Sequence, residues 1–167
     1  VILRDVDGDN DLDWVEGNYG QKNRIRMNVN GTFDETIWES TDSLDTWYLD
    51  MADIDGDGDF DILATAKGDD DVVLYTNNGS QSFEKSVIDS DLGGAQNIGC
   101  SDLNDDGYMD VIATGAESNK VIWYRNDGSQ NFTENIIDDT IDGPLRFVVK
   151  DLDEDGDKDI IICARDD

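Results

Sequence analysis

The sequence predicts an all-β fold: a β-propeller whose blades are four-stranded antiparallel meanders, with about three and a half blades in this chain. Three observations carry the prediction. An acidic nine-residue segment occurs four times, starting at residues 5, 53, 102 and 151, and the spacing of 48 or 49 residues is that of a propeller blade. The dipeptides Asn30-Gly31, Asn78-Gly79 and Asp127-Gly128 recur in the same phase and are strong hairpin signals. A phenylalanine and an aliphatic residue four positions later also recur, as Phe33 and Ile37, Phe83 and Val87, and Phe132 and Ile136. In a strand such pairs share one face.

The second copy lays out the unit. A first strand over 47–52 leads into the acidic segment, a second covers 60–66, a third over 72–76 is rich in β-branched and aromatic residues, and a fourth covers 83–88. The third copy repeats this at 97–101, 109–114, 121–125 and 132–137. The first copy opens with a short strand over 1–4, and the fourth ends after its second strand near Cys163. The blades therefore fall at about 1–38, 45–89 and 95–138, with a half blade at 145–164, as one repeat array. Asn30, Asn78 and Asn131 begin glycosylation-type triplets, and hairpin chemistry accounts for the first two.

The acidic segments point to metal. They read Asp5, Asp7, Asp9, Asp11, Asp13; Asp53, Asp55, Asp57, Asp59, Asp61; Asp102, Asn104, Asp106, Tyr108, Asp110; and Asp151, Asp153, Asp155, Asp157, Asp159 at positions 1, 3, 5, 7 and 9. Ca²⁺ takes six to eight oxygen ligands, and a tight loop supplies them at this spacing with a backbone carbonyl at position 7. The exceptions agree with that chemistry: Asn104 keeps a side-chain oxygen at position 3, and Tyr108 at position 7 suits a backbone ligand. Asp11, Asp59 and Asp157 at that position would likewise act through the main chain. Position 6 is Asn10, Gly58, Gly107 or Gly156, residues that enter a left-handed turn easily. Positions 2 and 10 are apolar throughout and predict anchorage in a core. An EF-hand needs a bidentate carboxylate at position 12, where this chain has Glu16, Ala64, Ala113 and Ile162. Solvated acidic turns without a cation would repel themselves. Up to four Ca²⁺ ions are expected, one per loop.

Composition narrows the partners. The chain of 167 residues carries 41 acidic and 12 basic residues, for a net charge of -29, and four Ca²⁺ would leave about -21. Nucleic acid is excluded as a partner, because phosphate contacts need basic surface. No apolar run reaches the roughly 20 residues that span a bilayer, so no membrane insertion is expected. Histidine is absent, which removes the commonest general base and transition-metal ligand. Cys100 and Cys163 sit in apolar runs and read as buried free thiols. The opening Val1-Ile2-Leu3-Arg4, without methionine, reads as a processed chain or an excerpt.

The loop pattern Asp-x-[Asp/Asn]-x-Asp-[Gly/Asn]-x-x-Asp, joined to a blade of this length, resembles the FG-GAP and VCBS repeats of the integrin α propeller and of bacterial surface proteins. The likeness covers essentially the whole chain. Gly94-Ala95 and Gly143-Pro144 are only vestiges of the Phe-Gly and Gly-Ala-Pro signatures, so the bacterial VCBS form is the closer match. The resemblance implies metal loops on one face of the disc and ligands met on the other. That second face holds the inter-blade loops at 39–45, 90–95 and 138–144 and the loops at 18–21, 67–70 and 116–119. Tyr19, Trp38, Trp47, Gln96 and Arg146 lie near them and are the candidate ligand contacts. The expected function is a Ca²⁺-binding extracellular or cell-surface module for adhesion or recognition of a glycan or protein. The alternatives are a non-catalytic structural array, or part of a polysaccharide lyase or dehydratase. No nucleophile stands beside a recognisable base, so the chain is not expected to be an enzyme. Three and a half blades leave open edges, so either further blades or association of copies is expected to complete the ring.

Overall fold

Alternating apolar and polar residues between turn signals produce strands, and no helix occurs among the described residues. A computed structural model describes residues 1–165 and forms four antiparallel sheets. The first contains β1 (Ile2–Arg4), β2 (Asp13–Glu16), β3 (Arg24–Val29) and β4 (Thr32–Glu39); the second β5 (Thr46–Ala52), β6 (Asp61–Ala66), β7 (Asp71–Asn77) and β8 (Phe83–Asp89). The third contains β9 (Ala95–Ser101), β10 (Asp110–Gly115), β11 (Lys120–Asn126) and β12 (Phe132–Asp138), and the fourth β13 (Pro144–Lys150) and β14 (Asp159–Ala164). In each four-stranded sheet neighbours in sequence are neighbours in space, which is the propeller meander. Among the described residues the sheets do not close into a ring.

Strand boundaries differ slightly from the sequence expectation, for a local reason. The second strand of each sheet begins at the position-9 aspartate, not one residue earlier at Phe60 or Met109. The third strands run to Asn77 and Asn126, poor strand formers held there by side-chain bonds described below.

The core lies between sheets. Val15, Ile25 and Met27 of the first sheet meet Leu49, Met51, Ile62, Ala64, Val73 and Tyr75 of the second. Leu63, Val72 and Leu74 on the opposite side of that sheet meet Ile98, Val111, Ala113, Ile122 and Tyr124 of the third. β6 and β10 are buried along their whole length, as central strands covered on both faces are.

The outer faces of the two end sheets differ. Where the second and third sheets present the paired residues Ile62 and Tyr75, Ala64 and Val73, or Val111 and Tyr124, Ala113 and Ile122, the first sheet presents Trp14 opposite Arg26 and Glu16 opposite Arg24. Arg24 and Arg26 reach Glu16 at 3.9 and 3.6 Å, and Arg24 also bonds Glu39 at 2.8 Å. The fourth sheet instead leaves Val148, Leu152 and Ile161 exposed. Leu152 therefore does not anchor its loop in a core as expected, because no further sheet covers it. Trp14, at position 10 of the first loop, is half exposed for the same reason. Cys163, expected to be buried, is exposed on β14, whereas Cys100 is half buried; both are free.

Candidate metal loops and ligand cleft

Each acidic segment is a loop between the first and second strands of its sheet, folded around its own carboxylates. The position-1 aspartate accepts the N–H of position 6: Asn10 to Asp5 at 3.0 Å, Gly58 to Asp53 at 3.1 Å, Gly107 to Asp102 at 2.8 Å and Gly156 to Asp151 at 3.0 Å. Position 7 donates its N–H to position 5, as in Asp11 to Asp9 at 2.8 Å and Tyr108 to Asp106 at 3.1 Å. Position 6 is left-handed in every copy, with φ of 74°, 98°, 90° and 102°. Position 4 is left-handed as well, at Gly8, Gly56, Asp105 and Glu154, which the sequence reading missed because half of these residues are not glycine.

Position 9 plays a double role. Asp13, Asp61 and Asp110 are buried; one oxygen accepts the position-2 N–H and the other accepts the N–H of Asn28, Asn77 or Asn126 at 2.9, 2.7 and 2.8 Å. Burial pushes Asp61 up to about 6, although its two N–H bonds pull the other way. The three asparagines return the favour by donating to the position-8 carbonyl and accepting from the hairpin glycine, as Asn126 does with Met109 and Gly128. Sequence reasoning missed them. Their signal was available, since residues 28, 77 and 126 recur in phase with the loops.

Carboxylate oxygens come within 4.8 Å of one another in three loops, from Asp5, Asp7 and Asp13, from Asp53, Asp55 and Asp57, and from Asp151, Asp153 and Asp159. The donors are all oxygen, as a hard cation requires. Such clusters can hold a metal. Two fully charged carboxylates at that separation repel by about 3 kcal/mol near a protein surface, which a cation relieves. The third loop differs. The Asn104 amide donates to Asp106 at 2.8 Å and Arg125 lies 3.5 Å from the same carboxylate. Burial works to raise Asp106, but the Tyr108 N–H, Asn104 and Arg125 together hold it below the usual range. In the second and third loops the position-7 side chain turns toward the hairpin: a Cβ on Gly79 would lie 2.6 Å from Asp59, and one on Gly128 would lie 2.4 Å from the Tyr108 ring.

The opposite ends of the strands carry the linkers between sheets and the β2–β3, β6–β7 and β10–β11 loops. They are tied by Lys67 N–H to Asp45 carbonyl at 3.0 Å and by Gly94 N–H to Asp70 carboxylate at 2.7 Å. A cleft of about 460 Å³ opens there, lined by Tyr19, Thr46, Trp47, Gln96, Leu145 and Arg146 among others. The structure thus brings together four of the five candidate ligand contacts. Trp38 is not among them: it packs edge-on to Tyr75 at 5.3 Å and against Phe83 at 4.9 Å between the first two sheets. Lys67 lies over the Trp47 ring and Arg146 over Tyr48.

Repeated meanders of this length with an acidic loop after each innermost strand define a β-propeller repeat protein. The sequence profile described as FG-GAP-like repeat matches residues 5–64 and 102–162, and the chain belongs to that family. No curated protein matches the sequence. A solved structure titled as the structural basis of specific recognition of non-reducing terminal N-acetylglucosamine by a lectin of Agrocybe aegerita is similar in fold. The TM-score is 0.68 at 22% identity, over 97% of this chain and 46% of that one. The chain spans about half the length of that structure.

Proposed function

We propose that the chain is a Ca²⁺-stabilised recognition module of the cell exterior, with structural cations in the loops of one face and a glycan or protein ligand on the other. The observation that carries the metal reading is the convergence of carboxylates in loops whose backbone is already curled around them. Asp5, Asp7, Asp9 and Asp13 and their equivalents supply side-chain oxygens, and position 7 supplies its carbonyl, which suits the Asp59 and Tyr108 side chains that turn toward the hairpins. The third loop is the weakest site, because Asn104 and Arg125 already occupy Asp106. Extracellular Ca²⁺ modules bind at roughly 0.1 to 1 mM, an affinity that fits millimolar external Ca²⁺. Fold likeness to a lectin supports the glycan over the protein ligand. Thermal melts followed by circular dichroism test the metal reading. At a hundredfold excess over the dissociation constant each independent site adds about 2.7 kcal/mol, so Ca²⁺ is expected to raise the melting temperature strongly and Mg²⁺ little. Equal melts with Ca²⁺ and with EGTA would count against it.

A further inference from the structure

The innermost strands β5, β9 and β13 share an irregularity that the meander does not require. Each pairs regularly with the following strand except near its start, where one residue is passed over. Thr46 and Tyr48 pair with Ala66 and Thr65, Ala95 and Asn97 with Gly115 and Thr114, and Pro144 and Arg146 with Ala164 and Cys163. The residues passed over are Trp47, Gln96 and Leu145, which are equivalent positions one repeat apart. A β-bulge leaves its extra residue out of the ladder and re-aims its side chain. All three bulged residues line the cleft of about 460 Å³.

The chemistry of this wall is specific. Trp47, about half exposed, offers an indole surface; Leu145 adds an aliphatic edge. Gln96 Oε1 and Thr46 Oγ1 are buried oxygens with no hydrogen-bond partner among the described residues, and Thr46 is 6% exposed. Unpaired polar groups of this kind cost free energy unless a ligand or water pairs them. Arg146 supplies further donors at the rim. An indole surface beside an amide, a hydroxyl and a guanidinium matches a ring with an apolar face and several hydroxyls. The volume falls in the range of small-molecule sites. The protein's net charge of -29 works against a polyanion.

We infer that the bulge positions Trp47, Gln96 and Leu145 form, with Thr46 and Arg146, a binding site for one neutral sugar residue, each blade contributing a different side chain from the same repeat position. The inference rests on the recognition reading above and names the ligand class and the residues that select it. Variation at the bulge position changes the wall without touching the strand ladder, since the bulged residue is outside the pairing.

The test is titration of the Ca²⁺-loaded chain with neutral monosaccharides and with uronic acids, read by saturation-transfer NMR and by tryptophan fluorescence. At least one neutral sugar is expected to bind saturably. Trp47→Ala and Gln96→Ala are each expected to weaken it about tenfold, in line with the loss of a stacking surface or of a hydrogen bond. Glu134→Gln, on an outer strand, is expected to leave binding unchanged. The Ca²⁺-dependent melt of each variant confirms that it folds. Absence of neutral-sugar binding in a chain with an intact Ca²⁺-dependent melt overturns the inference, whether the panel is silent, only uronic acids bind, or only a protein partner is found. So does binding indifferent to both substitutions. Sugar binding without a Ca²⁺-dependent melt would leave the cleft standing and overturn the metal reading alone.

Discussion

Glu154 stands in a left-handed conformation at φ 62° without the glycine that Gly8 and Gly56 provide at the same loop position. A non-glycine residue there costs roughly 1–2 kcal/mol, part of which glycine returns as unfolded-chain entropy. Glu154→Gly is therefore expected to raise stability by about 0.5–1 kcal/mol, measured as a higher urea midpoint in saturating Ca²⁺. The two thiols should part company in reactivity. Burial, reinforced by the Asp50 carboxylate, pushes the Cys100 thiol up to about 12, whereas Cys163 is exposed. At pH 8 a disulfide reagent is expected to label one thiol per native chain quickly, and Cys100 only on unfolding. Because the folded pKa of Cys100 lies above its unfolded value, the unfolded chain ionises first as pH rises past 9, and this thiol subtracts stability there. Charge and glycine pattern made the four loops and their left-handed sixth position legible residue by residue. The second left-handed position was not, since Asp105 and Glu154 carry no conformational signal of their own.

At the scale of the element, the third strand is tied to the acidic loop by a side chain and not by β-propensity alone. Asn126 is fully buried and donates to Met109 carbonyl at 3.1 Å and to Ile54 carbonyl of the neighbouring sheet at 2.9 Å. Asn126→Ala strands those carbonyls and the Gly128 N–H, at about 1–3 kcal/mol for a buried polar group left unpaired. A drop of about 2–4 kcal/mol in unfolding free energy is expected, with weaker Ca²⁺ binding at the second and third loops by calorimetry. The strands themselves were legible to within a residue or two from period and turn dipeptides. The bulges at Trp47, Gln96 and Leu145 were not, because an aromatic, an amide and an aliphatic residue share no sequence signature. Only the ladder reveals which residue has dropped out of it. The cleft was half visible: loop position nominated Tyr19, Trp47, Gln96 and Arg146, but it also nominated Trp38, whose ring turns into the core between sheets.

For the whole molecule, electrostatics governs how the proposed Ca²⁺ sites would act on stability. With 41 acidic residues against 12 basic, the apo chain repels itself, and filling four loops lowers the net charge only to about -21. The melting temperature in EGTA is expected to rise with sodium chloride as the Debye length shortens from about 30 Å at 0.01 M to 3 Å at 1 M, whereas the Ca²⁺-loaded protein should respond less. The end sheets add a property of assembly. If one copy added to the next head to tail, the exposed Val148 and Ile161 would meet Trp14 together with the Glu16, Arg24 and Arg26 network, so that the apolar contact would come with charges removed from water. Taking such partly exposed ions out of water costs several kcal/mol per ion. Repetition of a heterologous contact is what builds open fibres. The ion pairs on the first sheet thus weigh against a head-to-tail stack of copies, an expectation that light scattering over a range of chain concentrations checks.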